Sequence, residues 1–136
     1  MAVTIDVEYA GDLHCVAVHQ PSGARIRTDA PADNEGKGEQ FSPTDLVATA
    51  LGTCVLTVMG IAARKRGWDL SGARARVVKE MGAVPRRHVA RLELSVELPA
   101  SLDPHARAVL ERAARECPVT ASLGPLTTVY VRFDYR

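Results

Sequence analysis

Alternating apolar and polar residues predict six strands in this chain. The strands cover residues 3–9, 13–19, 24–28, 68–81, 87–98 and 127–135. In the first of them every second residue is apolar, so we expect that strand to be half-buried. The alternation over 87–98 changes phase once, near Arg91, which indicates a bulge. The short connections between neighbouring strands favour antiparallel hairpins.

One long apolar run predicts the main helix. Residues 46–63 carry no charge; Ser42-Pro43-Thr44-Asp45 precedes them as an N-terminal capping sequence, and three cations and Gly67 follow. We therefore predict a helix over residues 43–66. A helix that is apolar on every side lies at the centre of a globular protein or in a membrane. Because the run is at the lower length limit for a span and its flanks alternate like strands, we expect a buried helix.

The order of elements indicates the fold class. A second, amphipathic helix begins after the Asp103-Pro104 cap, and Cys117-Pro118 interrupts it and begins a short helical turn. No βαβ crossover is obvious, so we predict an α+β fold, a single domain over residues 1–136, with antiparallel sheets around the central helix. One small chain cannot easily cover such a helix, so we expect an intertwined homodimer.

Charge and composition exclude several classes of partner. The chain has 17 basic and 16 acidic residues spread along its length, so we expect neither nucleic acid nor a membrane as partner. The start of the chain has an acid, Asp6, where a signal peptide needs an apolar stretch, so we expect a cytoplasmic protein. His14 and His19 should lie on opposite faces of one strand, and no zinc-type spacing occurs, so we expect no metal and no cofactor.

The three cysteines are the candidate reactive groups. Cys117 stands before the proline of a helical turn, where unpaired N–H groups would lower its pKa, although it could equally fill a gap beside the second helix. Cys54 lies in the middle of the apolar helix, where a buried cysteine is usually inert. Cys15, in the second strand, is most simply a core residue. Paired thiols in a reducing compartment nevertheless suggest redox chemistry.

Two segments together resemble the OsmC family, which includes the organic hydroperoxide resistance proteins. They are the residues from Phe41 to Cys54, FSPTDLVATALGTC, and those from Glu116 to Leu123, ECPVTASL. The resemblance implies a homodimer with active sites at the subunit interface, acting as a thiol-dependent peroxidase in oxidative stress defence. It implies that Cys54 attacks the hydroperoxide, that Cys117 closes a disulfide, and that a dithiol or protein thiol restores both.

The sequence departs from the family pattern at the groups that would stabilise the Cys54 thiolate. In the best-known peroxidases of the family, the thiolate is stabilised by an arginine of the N-terminal strands, and a glutamate just after the helix-opening proline holds that arginine. Here Thr44 stands at the glutamate position, and residues 9–14 contain no arginine. The candidate supporting residues are Arg25, Arg27, Arg87, Glu39 and Asp45. This departure indicates an OsmC-like branch rather than a dedicated organic hydroperoxide reductase.

A second hypothesis therefore stays open, in which the protein binds an apolar ligand or senses redox state at the interface pocket without catalysis. The positions of the two thiols separate the hypotheses. Thiols within disulfide reach of each other favour the enzyme, and thiols that point into separate packed regions favour the binding protein.

Overall fold

The structure, a computed structural model, describes residues 1–136 and contains six strands and three helices. In chain order these are β1 Ile5–Gly11, β2 His14–His19, β3 Arg25–Asp29, α1 Pro43–Arg66, β4 Arg74–Gly82, β5 His88–Leu98, α2 Pro104–Arg115, α3 Pro118–Ser122 and β6 Thr128–Tyr135. The predicted α+β class and the predicted order of elements are confirmed. The chain divides into two compact units, Met1–Leu46 and Val47–Arg136.

The first unit is an antiparallel sheet in the order β1-β2-β3, followed by a closed loop. Asp12 and Leu13 both have positive φ, 52° and 63°, as a two-residue hairpin turn requires. The turn therefore lies one residue later than predicted. After β3, the Asp29 N–H donates to the Phe41 carbonyl at 3.1 Å, which returns the loop to its starting point. Gly36 permits this path, since a Cβ there would lie 1.7 Å from the Ala30 oxygen.

The apolar face of β1 is open to solvent in the single chain. Ile5 is 59% exposed, Val7 66% and Tyr9 64%. The prediction of a half-buried strand is therefore wrong for the single chain. The alternation correctly predicted a strand. It does not show whether the same chain supplies residues that cover the apolar face of that strand. In the structure β1 is the edge strand of its sheet.

The second unit contains a mixed sheet in the order β4-β5-β6. The β4–β5 hairpin is antiparallel, and its register shifts where Glu80 pairs with Arg91 and Met81 with Val89, which confirms the predicted bulge. The β5–β6 pair is parallel. The prediction of purely antiparallel sheets is therefore wrong here, because α2 and α3 carry the chain back along the sheet and make β5 to β6 a crossover connection.

The core of the second unit lies between α1, β5 and α2. Its fully buried large side chains are Leu51, Val55, Met59, Leu92, Leu94, Val96 and Leu110. Gly52 lets α1 approach β4 closely, since a Cβ at this position would lie 3.0 Å from Val77 Cγ2. The opposite side of α1, with Thr49, Thr53, Thr57 and Ile61, is exposed. The single chain therefore covers the predicted central helix on one face only.

The helix α1 is also long and apolar enough, by length and composition alone, to cross a membrane. One third of its most apolar window is buried inside the fold. A single such helix is weak evidence for a membrane span, because the core helix of a folded protein passes the same test.

Candidate active site

The two cysteines singled out in the sequence meet inside the second unit. Cys54 lies near the middle of α1, and Cys117 is the residue that precedes α3, with extended backbone angles of φ −62° and ψ 127°. Pro118 opens α3 and cannot donate a hydrogen bond, so the free N–H groups of this short helix begin at Val119. The Cys54 thiol forms a hydrogen bond with the Cys117 sulfur. Residues 63 positions apart in sequence are thereby placed side by side.

The environment acts on the two thiols in opposite directions. Burial raises the pKa of Cys54, and the hydrogen bond that its S–H donates to Cys117 raises that pKa further. Burial also opposes ionisation of Cys117. For this thiol, however, hydrogen bonds from Cys54, from the N–H and hydroxyl of Thr120 and from the Val119 N–H outweigh burial and lower the pKa. The pair is therefore arranged to hold one negative charge, and the charge is favoured on Cys117.

The two thiols also differ in access. Cys117 is 1% exposed and belongs to the buried core, whereas Cys54 is only partly buried. All three cysteines are free thiols. A reagent from solvent therefore reaches Cys54 more easily, while the thiol whose ionisation is favoured, Cys117, is buried.

The predicted supporting residues have different surroundings. Asp45 belongs to the α1 capping box: its carboxylate accepts the Ser42 N–H at 2.9 Å, and its own N–H donates to Ser42 Oγ at 3.1 Å. The Glu39 carboxylate lies 3.5 Å from His14 Nε2. Arg87 is exposed in the connection between β4 and β5. Cys15 lies partly buried in β2, paired with Tyr9 and Thr28 of the neighbouring strands.

The sequence predicted unpaired N–H groups beside Cys117, and the N–H groups of Thr120 and Val119 do lower the pKa of this thiol. Sequence reasoning missed the Thr120 hydroxyl, which donates to the same sulfur. The signal was present, because Thr120 is the third residue after the helix N-cap.

Comparison with known proteins identifies the family of this chain. The model of the family described as OsmC-like protein matches residues 36–132. A candidate osmotic stress induced and detoxification response protein from Psychrobacter arcticus 273-4 is 41% identical, with a TM-score of 0.90 over 98% of this chain and 96% of that chain. No curated protein matches the chain.

More distant structures share the fold. An OsmC-like protein from Mycoplasma pneumoniae is 14% identical, with a TM-score of 0.82 over 99% of this chain and 97% of that one. An organic hydroperoxide resistance protein OsmC from Legionella pneumophila is 13% identical, with a TM-score of 0.78 over 98% and 97%. The family match over most of the chain and the 41% identical relative agree with the motifs around Cys54 and Cys117. The chain therefore belongs to the OsmC-like protein family.

Proposed function

We propose that this protein is a thiol-dependent peroxidase that reduces organic hydroperoxides through Cys54 and Cys117. The observation that carries the proposal is the hydrogen bond between the two thiols, because a reacting sulfur and a resolving sulfur must lie this close together to form a disulfide. Family membership and the names of the Legionella pneumophila and Psychrobacter arcticus relatives support a role in peroxide detoxification and the stress response.

We assign the nucleophile to Cys54 because it is the more accessible thiol. A nucleophile must be a thiolate, yet the pKa of Cys54 is raised. The shared hydrogen bond offers a solution, because the Cys117 thiolate can accept the Cys54 proton when a hydroperoxide arrives. Cys117 is thus first a proton acceptor and then the resolving thiol.

The reaction balances as follows. The Cys54 thiolate attacks one oxygen of the hydroperoxide, the O–O bond breaks, and the alkoxide takes the proton held by Cys117 to leave as an alcohol. Cys54 is now a sulfenic acid. The Cys117 thiolate attacks its sulfur, an S–S bond forms, and the hydroxide leaves as water after protonation. A dithiol or protein thiol then reduces the disulfide by exchange and is itself oxidised.

In this proposal the donors of α3 stabilise the charge of the pair on Cys117, and the Val119 N–H also favours ionisation of Cys54, the role expected from Arg87, Glu39 and Asp45. N–H groups at a helix start stabilise a thiolate without a cation. The largely apolar surroundings of the pair favour a bulky organic hydroperoxide over hydrogen peroxide, because desolvating an apolar substituent is favourable.

We further propose that the protein works as a homodimer in the reducing cytoplasm. The open apolar face of β1 and the exposed side of α1 are surfaces that a second copy would cover. Three free cysteines suit a reducing compartment.

A peroxide consumption assay with a lipoyl-type dithiol tests the proposal. We expect the wild-type protein to consume an alkyl hydroperoxide faster than hydrogen peroxide, and Cys54→Ser to be inactive. Turnover that persists in Cys54→Ser would contradict the mechanism. A wild-type protein that consumes neither peroxide would favour the alternative, in which the pocket binds an apolar ligand.

A further inference from the structure

Three potential metal ligands meet in the first unit, away from both redox cysteines in sequence. They are His14 at the start of β2, Asp29 at the end of β3 and Glu39 in the following loop. One side-chain ligand atom of each lies within 4.8 Å of those of the other two. The Asp12-Leu13 turn sets the start of β2, and β2 pairs His14 directly with Asp29. The closed loop then returns Glu39 to the same place.

The hydrogen bonds leave a lone pair on His14 that faces two carboxylates. His14 Nδ1 lies 2.7 Å from the Asp12 carbonyl oxygen. A carbonyl can only accept, so Nδ1 carries the hydrogen and Nε2 of the neutral ring carries the lone pair. This lone pair faces Asp29 Oδ2 at 3.6 Å and Glu39 Oε2 at 3.5 Å. Three electron-pair donors facing one another repel unless something positive lies between them.

The distances leave room for a metal ion. A tetrahedral ion with bonds of about 2.0–2.2 Å separates neighbouring ligand atoms by about 3.4 Å. His14 Nε2 lies 3.6 Å from Asp29 Oδ2 and 3.5 Å from Glu39 Oε2, and the three ligand atoms lie within 4.8 Å of one another.

Burial of Asp29 is an independent observation. Its side chain is 1% exposed, and Oδ2 accepts the Glu39 N–H at 3.0 Å. The Glu39 N–H, His14 and the N–H groups of Lys37 and Ala30 lower the pKa of this carboxyl, yet Oδ1 is buried without a hydrogen bond of ordinary geometry. A buried carboxylate oxygen without a partner is costly. An ion bound through both oxygens of this carboxylate would compensate that cost. The Asp12 carbonyl and the Glu39 N–H orient the histidine and the carboxylate, as outer-shell groups do around metal ligands.

We propose that His14, Asp29 and Glu39 bind a divalent transition metal, represented here by Zn²⁺. The mixed imidazole and carboxylate donors favour Zn²⁺ over Mg²⁺, which prefers oxygen ligands alone. Three protein ligands leave a fourth position for water or another ligand. Glu39, whose side chain is 55% exposed, provides the side from which the ion enters. Lys37 does not oppose the ion strongly, because its ammonium pairs with Asp12 at 3.4 Å.

Calorimetric titration of the purified protein with Zn²⁺ tests the site. We expect one Zn²⁺ per chain in the wild-type protein and binding weakened about tenfold or more in His14→Ala and Glu39→Gln. His19→Ala is the matched control, since His19 lies in the same strand but bonds Ser22 Oγ, at 2.6 Å. Glu39 is exposed, so Glu39→Gln should keep its fold, which circular dichroism checks.

The redox thiols are the competing metal site. We expect the double variant Cys54→Ser/Cys117→Ser to keep the Zn²⁺ equivalent, and Co²⁺ bound to the wild-type protein to show tetrahedral visible bands without sulfur charge transfer. Loss of binding in the double variant would assign the ion to the thiols and overturn the proposal. Absence of binding in the wild type, or binding unaffected by both His14→Ala and Glu39→Gln, would overturn it as well.

Discussion

The two compact units differ in how they bury their apolar residues. In Val47–Arg136, α1, β5 and α2 enclose a continuous core of aliphatic side chains, and the thiol pair lies in it. In Met1–Leu46 the buried residues are polar, namely Thr28, Asp29 and Ser42, while the apolar residues of β1 are exposed. The second unit thus gains its stability from apolar burial. The first contains a polar cluster and an apolar face that is open to solvent in the single chain.

The largest predicted effect separates the cysteines of the two units. Cys54→Ser should lower hydroperoxide turnover by roughly a thousandfold or more, because it removes the nucleophile and changes little else. Cys15→Ser, in the first unit, should leave turnover nearly unchanged. Initial rates with an alkyl hydroperoxide and excess dithiol measure both. Equal losses in the two variants would remove the distinction between redox and packing cysteines.

The second prediction compares packing within the chain with packing between chains. Gly52→Leu would force a side chain against Val77 and should lower the free energy of unfolding by about 1–3 kcal/mol. Gly60 has open space around it, so Gly60→Leu should cost the single chain little and act on the dimer instead. Urea unfolding measures the first effect.

Sedimentation tests the proposed dimer. Val7→Asp places a charge on the open face of β1 and should shift the protein from dimer to monomer, because an interface that buries an unpaired charge is costly. A wild-type protein that is a folded monomer at micromolar concentration would contradict the homodimer. A dimer that tolerates Val7→Asp would place the interface elsewhere.

The third prediction concerns pH and the thiol pair. Because the pKa of Cys117 is lowered and that of Cys54 raised, the first thiolate should form below the pH at which a free cysteine ionises. Cys117→Ser should abolish this early ionisation. Cys54→Ser should keep it, since the Val119 and Thr120 donors remain. The ultraviolet absorbance of the thiolate, followed against pH, measures this ionisation. Early ionisation that survives in Cys117→Ser would assign the first thiolate to Cys54 instead.

The smallest predicted effects are at the helix caps. Asp103 caps α2 by accepting the Ala106 N–H at 2.8 Å, and Ser42 caps α1 through Asp45. Asp103→Ala and Ser42→Ala should each lower the free energy of unfolding by about 1 kcal/mol. Denaturant unfolding measures both changes. A cost near zero at Asp103 would mean that α2 is held by its packing alone.

The sequence predicted local structure well and pairing over long distances less well. Charges and caps gave the bounds of α1, and the phase change at Arg91 gave the bulge, because these signals are local. The parallel pairing of β5 and β6 was missed because no local pattern shows which strand a returning strand joins. The thiol pair was expected through the family motifs. Asp29 was not predicted to be a site residue, because its position beside His14 and Glu39 depends on strand register and on the closure of the following loop.

Mass mapping of disulfides after exposure to one equivalent of an alkyl hydroperoxide tests the central claim most directly. The account predicts an intramolecular Cys54–Cys117 disulfide in the wild-type protein. It predicts sulfinic acid at Cys54 in Cys117→Ser, where the sulfenic acid has no resolving thiol. A main disulfide that involves Cys15, or two unreacted thiols at Cys54 and Cys117, would contradict the peroxidase mechanism.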